Sequence, residues 1–274
     1  MKIGLLKQTF DPVTIQDIEF SISQIKKKNL DEVWFIVLDD HNKVKVSQRQ
    51  NMILIALENI NNIKLSNLSL VKETKNEYVL LDNDESFKIN KEIHQGFFKY
   101  IDNKVKNHIL QNQFYLEEVA FNNLSSYRYK HSVSVASVCV SLAKIHKIDA
   151  NKAYIAGLLH DICKDKPYEY TMDVMNKHFA NLLNEPYEIY HAYTSMIFLK
   201  ENLLIDEQEI LNAVFNHTTG NDYSDLSMLV YVSDKLDPLR GYDVSYEFNL
   251  SSMNLLEGFN YIKEQQLRYL KEKK

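Results

Sequence analysis

The sequence is poor in the features that mark secreted, membrane and nucleic-acid-binding chains. Its 274 residues include only 2 cysteines, Cys139 and Cys163, which form no CxxC pair and are expected to be buried free thiols of a reducing cytoplasm. No apolar run reaches the roughly 18 residues that a membrane helix needs. The formal net charge is -5, so no large basic field attracts nucleic acid. These absences favour a cytoplasmic protein without a membrane or nucleic-acid partner.

What remains is a globular balance with two different patterns along the chain. Hydrophobic residues make up 45% and charged residues 25% of a chain long enough for two domains. In residues 1–115, short apolar runs such as residues 33–38 alternate with helical periodicity. In residues 116–274 the strand signal vanishes. We therefore predict a doubly wound, Rossmann-like α/β domain over 1–115, followed by an all-helical domain over 116–274.

Within the helical half, capping residues predict where several helices begin. Asp149 is expected to cap a helix that runs to about residue 163. Asp206 and Glu209 have the spacing of a capping box, so a further helix is expected to follow Asp206. The last helix is predicted over residues 251–271.

Ionisable residues recur on the apolar faces of these predicted helices. Any one of them alone is best explained as a hydrogen-bonded core residue or a cap. Six together are different, because burying so many without a compensating ion would cost several kcal/mol each. The six candidate metal ligands are His131, His160, Asp161, His191, His217 and Asp234. The other histidines lie in polar stretches and are expected at the surface: His41, His94, His108, His146 and His178.

The order of these residues resembles the signature of the HD-domain metal-dependent phosphohydrolases. His131, the pair His160-Asp161 and Asp234 match the ordered His…His-Asp…Asp pattern. The additional histidines match the subset that holds two metal ions. Residues 120–245 resemble more closely the YqeK-type symmetrical diadenosine tetraphosphate hydrolases, on the string 216–220 (Asn-His-Thr-Thr-Gly) and on Lys164, three residues after Asp161.

This resemblance implies a two-metal site with a nucleotide substrate. One ion would be held by His131, His160, Asp161 and Asp234, and the other by Asp161, His191 and His217. Iron is the expected metal, and manganese or another first-row metal remains open. Asp161 and Lys164 would be catalytic, and the substrate phosphates would meet Arg128, Lys164, Thr218, Gly220 and Arg240. A solvated lysine at position 164 and a plain turn at 218–220 remain open.

The implied reaction is hydrolysis of diadenosine tetraphosphate, a small-molecule partner, to two ADP. Two alternatives stay open for the helical half: an HD phosphohydrolase of another nucleotide, and a non-catalytic nucleotide sensor. The retention of all six ligand candidates together with Lys164 argues against the sensor.

Residues 1–115 resemble the nicotinate mononucleotide adenylyltransferases, but with the catalytic motif degraded. The string 9–12 (Thr-Phe-Asp-Pro) matches that family, whereas the two preceding glycines are replaced by Lys7 and Gln8. The two histidines that stabilise the triphosphate are replaced by Thr14 and Asp17, and Asp17 would repel phosphate. The phosphate-binding arginine is also lost, with Asn90 roughly in its place. We therefore expect the fold to be kept and adenylyl transfer to be lost.

Overall fold

The computed structural model describes residues 1–39 and 44–272, which form two compact units, Met1–Tyr115 and Leu116–Lys274. The first unit contains a parallel sheet with helices. In the second unit every described regular element is helical: α-helices, with a few short 3-10 and π segments. The predicted fold class, α/β followed by all-α, is therefore confirmed. Within the described ranges, no helix has the length and apolarity needed to cross a bilayer.

The first unit is built on four parallel strands in the order β3-β2-β1-β4. The strands are β1 (Lys2–Gln8), β2 (Glu32–Val37), β3 (Ile63–Ser66) and β4 (Glu77–Leu81), and the helices are α1 (Ile15–Lys28), α2 (Val46–Ala56), α3 (Leu68–Glu73), α4 (Glu85–Ile93) and α5 (Asn103–Asn112). The direction of winding reverses between β1 and β4. In open α/β sheets this reversal marks the crevice in which ligands bind.

The central strands are buried, which explains their continuous apolar sequence. All of β2 except its last residue, Val37, is buried. The rings of Phe10 and Phe35 stack with centroids 4.6 Å apart. Trp34, the sole tryptophan of the chain, is only 7% exposed. A strand with little solvent on either face needs no polar alternation, so its run of apolar residues identified it correctly from sequence.

The second unit is a bundle of nine described α-helices. They are α6 (Leu116–Asn123), α7 (Ser126–His146), α8 (Ala150–Leu159), α9 (Tyr168–His178), α10 (Tyr190–Ile197), α11 (Gln208–Asn216), α12 (Asp225–Lys235), α13 (Ser245–Met253) and α14 (Leu255–Glu272). A π-helical turn, Phe198–Asn202, follows α10.

Helices α7 and α8 pack closely because Gly157 has no side chain. A Cβ at Gly157 would lie 2.7 Å from Cys139 Sγ and 3.0 Å from Ala136 Cα. The first distance is shorter than real Cβ contacts and the second is tighter than most of them, so a larger residue here would force the two helices to shift. The contact brings the end of α8 beside α7, where metal-ligand candidates lie. Cys139 and Cys163 are buried and free, as predicted.

Helix α8 begins as expected and ends earlier than expected. Asp149 caps it by accepting hydrogen bonds from the backbone N–H groups of Asn151 and Lys152, which confirms the predicted cap. The helix ends at Leu159 instead of near residue 163. The N–H of Ile162 bonds to the oxygen of Leu159, so a tighter turn replaces the α-helical pattern. The turn redirects the chain just where the His160-Asp161 pair lies.

Two other helix predictions were wrong. The N-cap of α11 is Glu207 and not Asp206: the helix begins at Gln208, and Glu207 makes no side-chain capping bond. The last predicted helix is two helices, because Asn254 between α13 and α14 has an extended conformation with φ -151° and ψ 109°. Short sequence spacings do not determine such helix ends, because tertiary contacts move them by a residue or more.

Candidate metal centre

All six predicted ligand residues lie in one buried cluster of the helical unit. The cluster draws on five helices: α7, the C-terminal end of α8, α10, the C-terminal end of α11, and α12. The relative exposures are 7% for His131, 0% for His160, 5% for Asp161, 7% for His191, 1% for His217 and 8% for Asp234. The structure thus brings together side chains that are separated by up to about a hundred positions in the sequence.

The ligand atoms form two groups that share one carboxylate. His131, His160 and Asp161 each offer an atom within 4.8 Å of the others, and so do Asp161, His191 and His217. Asp234 adjoins the first group, with its Oδ1 3.1 Å from His131 Nε2 and 3.8 Å from His160 Nε2. Asp161 therefore occupies the position between two potential metal sites.

Backbone carbonyls fix the orientation of two of the histidines. His160 Nδ1 lies 2.8 Å from the oxygen of Gly157, and His217 Nδ1 lies 2.7 Å from the oxygen of Val214. A carbonyl only accepts hydrogen bonds, so each Nδ1 must carry the proton. In the neutral imidazole this leaves a lone pair on Nε2, which faces the centre of the cluster. Each histidine follows the last residue of its helix, where the carbonyls of the final turn lack intrahelical partners.

A carboxylate, that of Asp237, fixes the orientation of the His131 ring. Asp237 is fully buried, and its Oδ2 lies 2.5 Å from His131 Nδ1. Its Oδ1 accepts a hydrogen bond from the backbone N–H of Leu239 at 3.0 Å. Carboxylates that bind the outer nitrogen of a histidine commonly orient metal ligands. Sequence reasoning did not assign Asp237 to the site; its position three residues after Asp234 was the available signal.

Burial keeps several histidines of the cluster neutral. Burial lowers the pKa of His160 to about 4, and it also lowers the pKa values of His191 and His217. His131 differs: burial opposes its charging, but hydrogen bonds to Asp234 and Asp237 outweigh burial and raise its pKa. Neutral imidazoles are the form that binds metals.

The two carboxylates of the cluster are ionised. Burial resists the charge on Asp161, yet the neighbouring histidines, His160 first, hold its pKa well below the usual range. Burial also raises the pKa of Asp234, but neighbouring charges, Lys235 first, outweigh burial and hold that pKa well below its usual range. The cluster therefore combines ionised carboxylates with largely neutral imidazoles, which is the protonation state that metal binding requires.

Two unsatisfied atoms show that the cluster suits a cation. Among the described residues, His160 Nε2 has no hydrogen-bond partner. Asp161 Oδ1 has none in hydrogen-bond geometry, although His191 Nε2 and His217 Nε2 lie 3.0 and 3.3 Å away. Buried polar atoms without partners are costly, whereas lone pairs that converge on one space fit a metal ion. The nitrogen and oxygen donors fit first-row transition metals.

The ligands open onto a cleft of about 240 Å³ that contains most of the predicted substrate-binding residues. Lys164, Arg128, Thr218 and Arg240 all line it. Lys164 Nζ lies 2.9 and 2.8 Å from the two ring nitrogens of His191, and burial lowers its pKa. Lys164 is therefore directed into the site and is not a solvated surface lysine.

The two arginines are held by carboxylates at the cleft. Arg128 Nε donates to Asp165 Oδ1 at 2.7 Å. Arg240 Nη2 donates to Asp234 Oδ1 at 2.6 Å, and its Nε donates to the backbone oxygen of the same residue at 2.9 Å. Each arginine is thereby fixed in place with further N–H groups left to meet an anion.

Gly220 is not among the residues that line this cleft. It has a positive φ of 61°, and a Cβ there would lie 3.0 Å from a ring carbon of Tyr231 and 3.3 Å from one of Phe259. Its contacts indicate that the glycine permits the turn after α11 to pack against two aromatic rings.

The histidines expected at the surface differ among themselves. His41 lies outside the described residues. His94 is only 20% exposed in its side chain; its ring stacks on Tyr115, and its Nε2 lies 2.9 Å from the oxygen of Asp11, so the expectation was wrong there. His108, His146 and His178 are also half-buried rather than exposed; His108 contacts the polar side chains of Asn51 and Asn112.

Comparison with known proteins assigns the helical unit to a class. Residues 128–239 match the family model described as HD domain. This range includes all six ligand candidates. The helical unit therefore contains an HD domain, as the order of its histidines and aspartates predicted.

Particular relatives are similar over parts of the chain. The symmetrical bis(5'-nucleosyl)-tetraphosphatase of Bacillus subtilis is 30% identical over 122 residues, which cover 43% of this chain and 66% of that protein. A Mycoplasma genitalium protein named probable nicotinate-nucleotide adenylyltransferase/Ap4A hydrolase is 28% identical over 169 residues, which cover 59% of this chain and 48% of that protein. The chain thus spans about half the length of this relative.

A solved structure is also similar. It is described as a predicted HD superfamily hydrolase involved in NAD metabolism, from Clostridium acetobutylicum. It matches with a TM-score of 0.51 and 28% identity, over 58% of this chain and 86% of that one.

Proposed function

We propose that this chain is a metal-dependent phosphohydrolase that cleaves diadenosine tetraphosphate symmetrically into two ADP. One observation carries the proposal: two groups of buried metal-ligand atoms share Asp161 and open onto a single cleft lined by Lys164. Two-metal sites are typical of phosphoryl-transfer hydrolases. The substrate is supported by the name of the Bacillus subtilis relative.

His131, His160, Asp161 and Asp234 would hold one ion, and Asp161, His191 and His217 the other. We propose iron as the bound metal, with manganese or another first-row metal as the alternative. When bound, such ions acidify water and polarise phosphoryl oxygens.

The side chains around the ligands complete the site. In the proposed reaction the Lys164 ammonium neutralises charge on a bound phosphate, since its side chain is half-buried and its amine is directed into the cleft. Arg128 and Arg240 bind further phosphate oxygens from the positions that Asp165 and Asp234 fix. Thr218 Oγ1 has no hydrogen-bond partner among the described residues, so it is able to donate to the same anion.

The proposal is tested by product analysis of the metal-reconstituted chain with diadenosine tetraphosphate. ADP as the sole product is the expected result. ATP plus AMP would show attack at an outer phosphorus and overturn symmetrical cleavage. No turnover by protein with metal bound would favour the second candidate, an HD phosphohydrolase of another nucleotide.

A lysine pair sharpens this test. Lys164→Met should lower turnover about a hundredfold while metal content is unchanged, since one positive charge facing the phosphates is lost. Lys144→Met changes an exposed lysine of α7 and should have no effect. Equal turnover in the two variants would remove Lys164 from the proposed mechanism.

For residues 1–115 we propose a nucleotidyltransferase-like domain without transferase activity, attached to the hydrolase domain of residues 116–274. The support is Asp17, which replaces a phosphate-binding histidine of the family that this region resembles. The adjacent cleft is lined by four further carboxylates, those of Glu19, Asp82, Asp84 and Glu85. Such a surface repels a nucleoside triphosphate. Absence of adenylyl transfer from ATP to nicotinate mononucleotide is the expected result, and measurable transfer would contradict it.

A further inference from the structure

A second cavity of the helical unit adjoins the metal cleft. It has a volume of about 480 Å³, within the range of small-molecule sites, and helix α14 forms one wall of it. We name it the α14 cavity. Arg240 lines both this cavity and the metal cleft, so a ligand of sufficient length is able to occupy both.

The end of the α14 cavity nearest the metal ligands is cationic. Arg240 Nη2 lies 2.6 Å from Asp234 Oδ1, and Lys235 Nζ lies 2.9 Å from Asp234 Oδ2. Both cations line the cavity as well. This end therefore suits the phosphate of a ligand whose further phosphates lie in the metal cleft.

The rest of the cavity lining is mainly aromatic, aliphatic and amide-bearing, with one carboxylate, that of Glu247. Tyr242 contributes a ring that is 55% exposed, so part of it is accessible to a ligand. Val244 and Ile262 supply aliphatic contacts, and Gln266 supplies an amide. A nucleobase stacks on an aromatic ring, and a glutamine amide matches the paired donor and acceptor on the edge of adenine. A simple phosphate would use only the two cations, Lys235 and Arg240.

We propose that the α14 cavity binds the purine nucleoside of a nucleotide whose phosphates lie in the metal cleft. A purine nucleoside 5′-diphosphate is the smallest ligand that places its nucleoside in the cavity, one phosphate at Arg240 and Lys235, and a further phosphate in the metal cleft. The inference rests on the proposed function, because it needs the metal cleft to accept phosphates. It adds the base-recognising residues, Tyr242 and Gln266, which neither the family resemblance nor the ligand cluster identifies.

The test compares two probes on the metal-reconstituted full chain by calorimetry: ADP, and inorganic diphosphate, which lacks the nucleoside. Wild-type protein should bind ADP more tightly. Tyr242→Ala should weaken ADP binding about tenfold through lost stacking, and Gln266→Leu should weaken it severalfold. Neither should change diphosphate binding. Tyr246→Ala is the matched control, a tyrosine in the same region that is 61% exposed and does not line the cavity.

The other outcomes separate this inference from the proposed function. Unchanged ADP binding in both cavity variants, or equal weakening of ADP and diphosphate, would overturn the α14 cavity as the base site. Wild-type protein that binds diphosphate as tightly as ADP would also overturn it, and would leave the phosphate chemistry of the metal cleft standing. Wild-type protein that binds neither probe would overturn both proposals.

Discussion

Two buried aspartates, one in each unit, show how similar burial serves different purposes. Asp17 in the α/β unit is 1% exposed, and Asp161 in the helical unit is 5% exposed. Both of the Asp17 carboxylate oxygens are saturated by donors of the same unit. These donors are the side chains of Gln8, Asn83 and Ser86 on Oδ1, and the backbone N–H and hydroxyl of Thr14 on Oδ2.

The position of Asp17 makes this saturation informative. Gln8 ends β1, and Asn83 follows β4 by two residues. The hydrogen bonds around Asp17, which we call the clamp, therefore lie at the reversal point of the sheet, where ligands of such folds bind. Thr14 and Asp17 also form the capping box of α1. The family that residues 1–115 resemble has a phosphate-binding histidine at this position. In this chain the position is occupied by Asp17, whose carboxylate is held as a fixed part of the scaffold.

Asp161 is surrounded differently. Its neighbours are the ring nitrogens of His191 and His217, and no contact of its Oδ1 has hydrogen-bond geometry. A saturated buried carboxylate is structural, whereas a buried carboxylate among converging lone pairs suits a bound cation. This difference, rather than burial itself, supports our proposal that the reaction site lies in the helical unit.

The largest expected effect comes from breaking the shared carboxylate. Asp161→Asn removes a ligand from both proposed ion sites, so metal content should fall from two ions per chain to less than one. Hydrolysis should fall about a thousandfold or more, because several kcal/mol of charge stabilisation are lost. Elemental analysis and product formation measure the two quantities. Asp173→Asn, an exposed position on α9, is the control, and full activity of Asp161→Asn would refute the site.

The corresponding substitution at Asp17 should lower the stability of the α/β unit and leave hydrolysis unchanged. Asp17→Asn leaves donors of the clamp without an acceptor, so the free energy of unfolding of the α/β unit should fall by about 2 kcal/mol. Denaturant titration followed by Trp34 fluorescence reports this unit, because the only tryptophan lies in its core. Metal content and hydrolysis should be unchanged, and Glu19→Gln on the same helix serves as the control. Lost hydrolysis with normal unfolding would assign Asp17 a chemical role.

The smallest effect should come from Asp237. Like Asp17 it is held by hydrogen bonds, and like Asp161 it belongs to the proposed metal site, where it orients His131. Asp237→Asn weakens the acceptor at His131 Nδ1, so metal affinity should fall about tenfold. Competition with a chelator measures this affinity. Hydrolysis should recover at high metal concentration, which a general loss of structure would not allow. Asp225→Asn, at an exposed position of α12, should leave the affinity unchanged.

Much of this protein was determined by local sequence. The buried strand β2, the cap at Asp149 and the order of histidines and aspartates were all predictable. The reason is that strand and helix periodicity, capping chemistry and ligand type are properties of neighbouring residues. The absence of the transferase histidines was also visible at positions 14 and 17.

The tertiary structure decided what joins distant parts of the chain. Asp237 orients His131 across 106 positions, and Ser86 reaches Asp17 across 69. The ends of α8 and α11, the packing of Gly220 and the α14 cavity also depend on contacts between elements. Sequence identified which side chains could bind a metal. Only the folded chain determined which carboxylate is saturated by hydrogen bonds and which lies among nitrogen atoms that could bind a metal ion, because saturation depends on donors that arrive from other helices and strands.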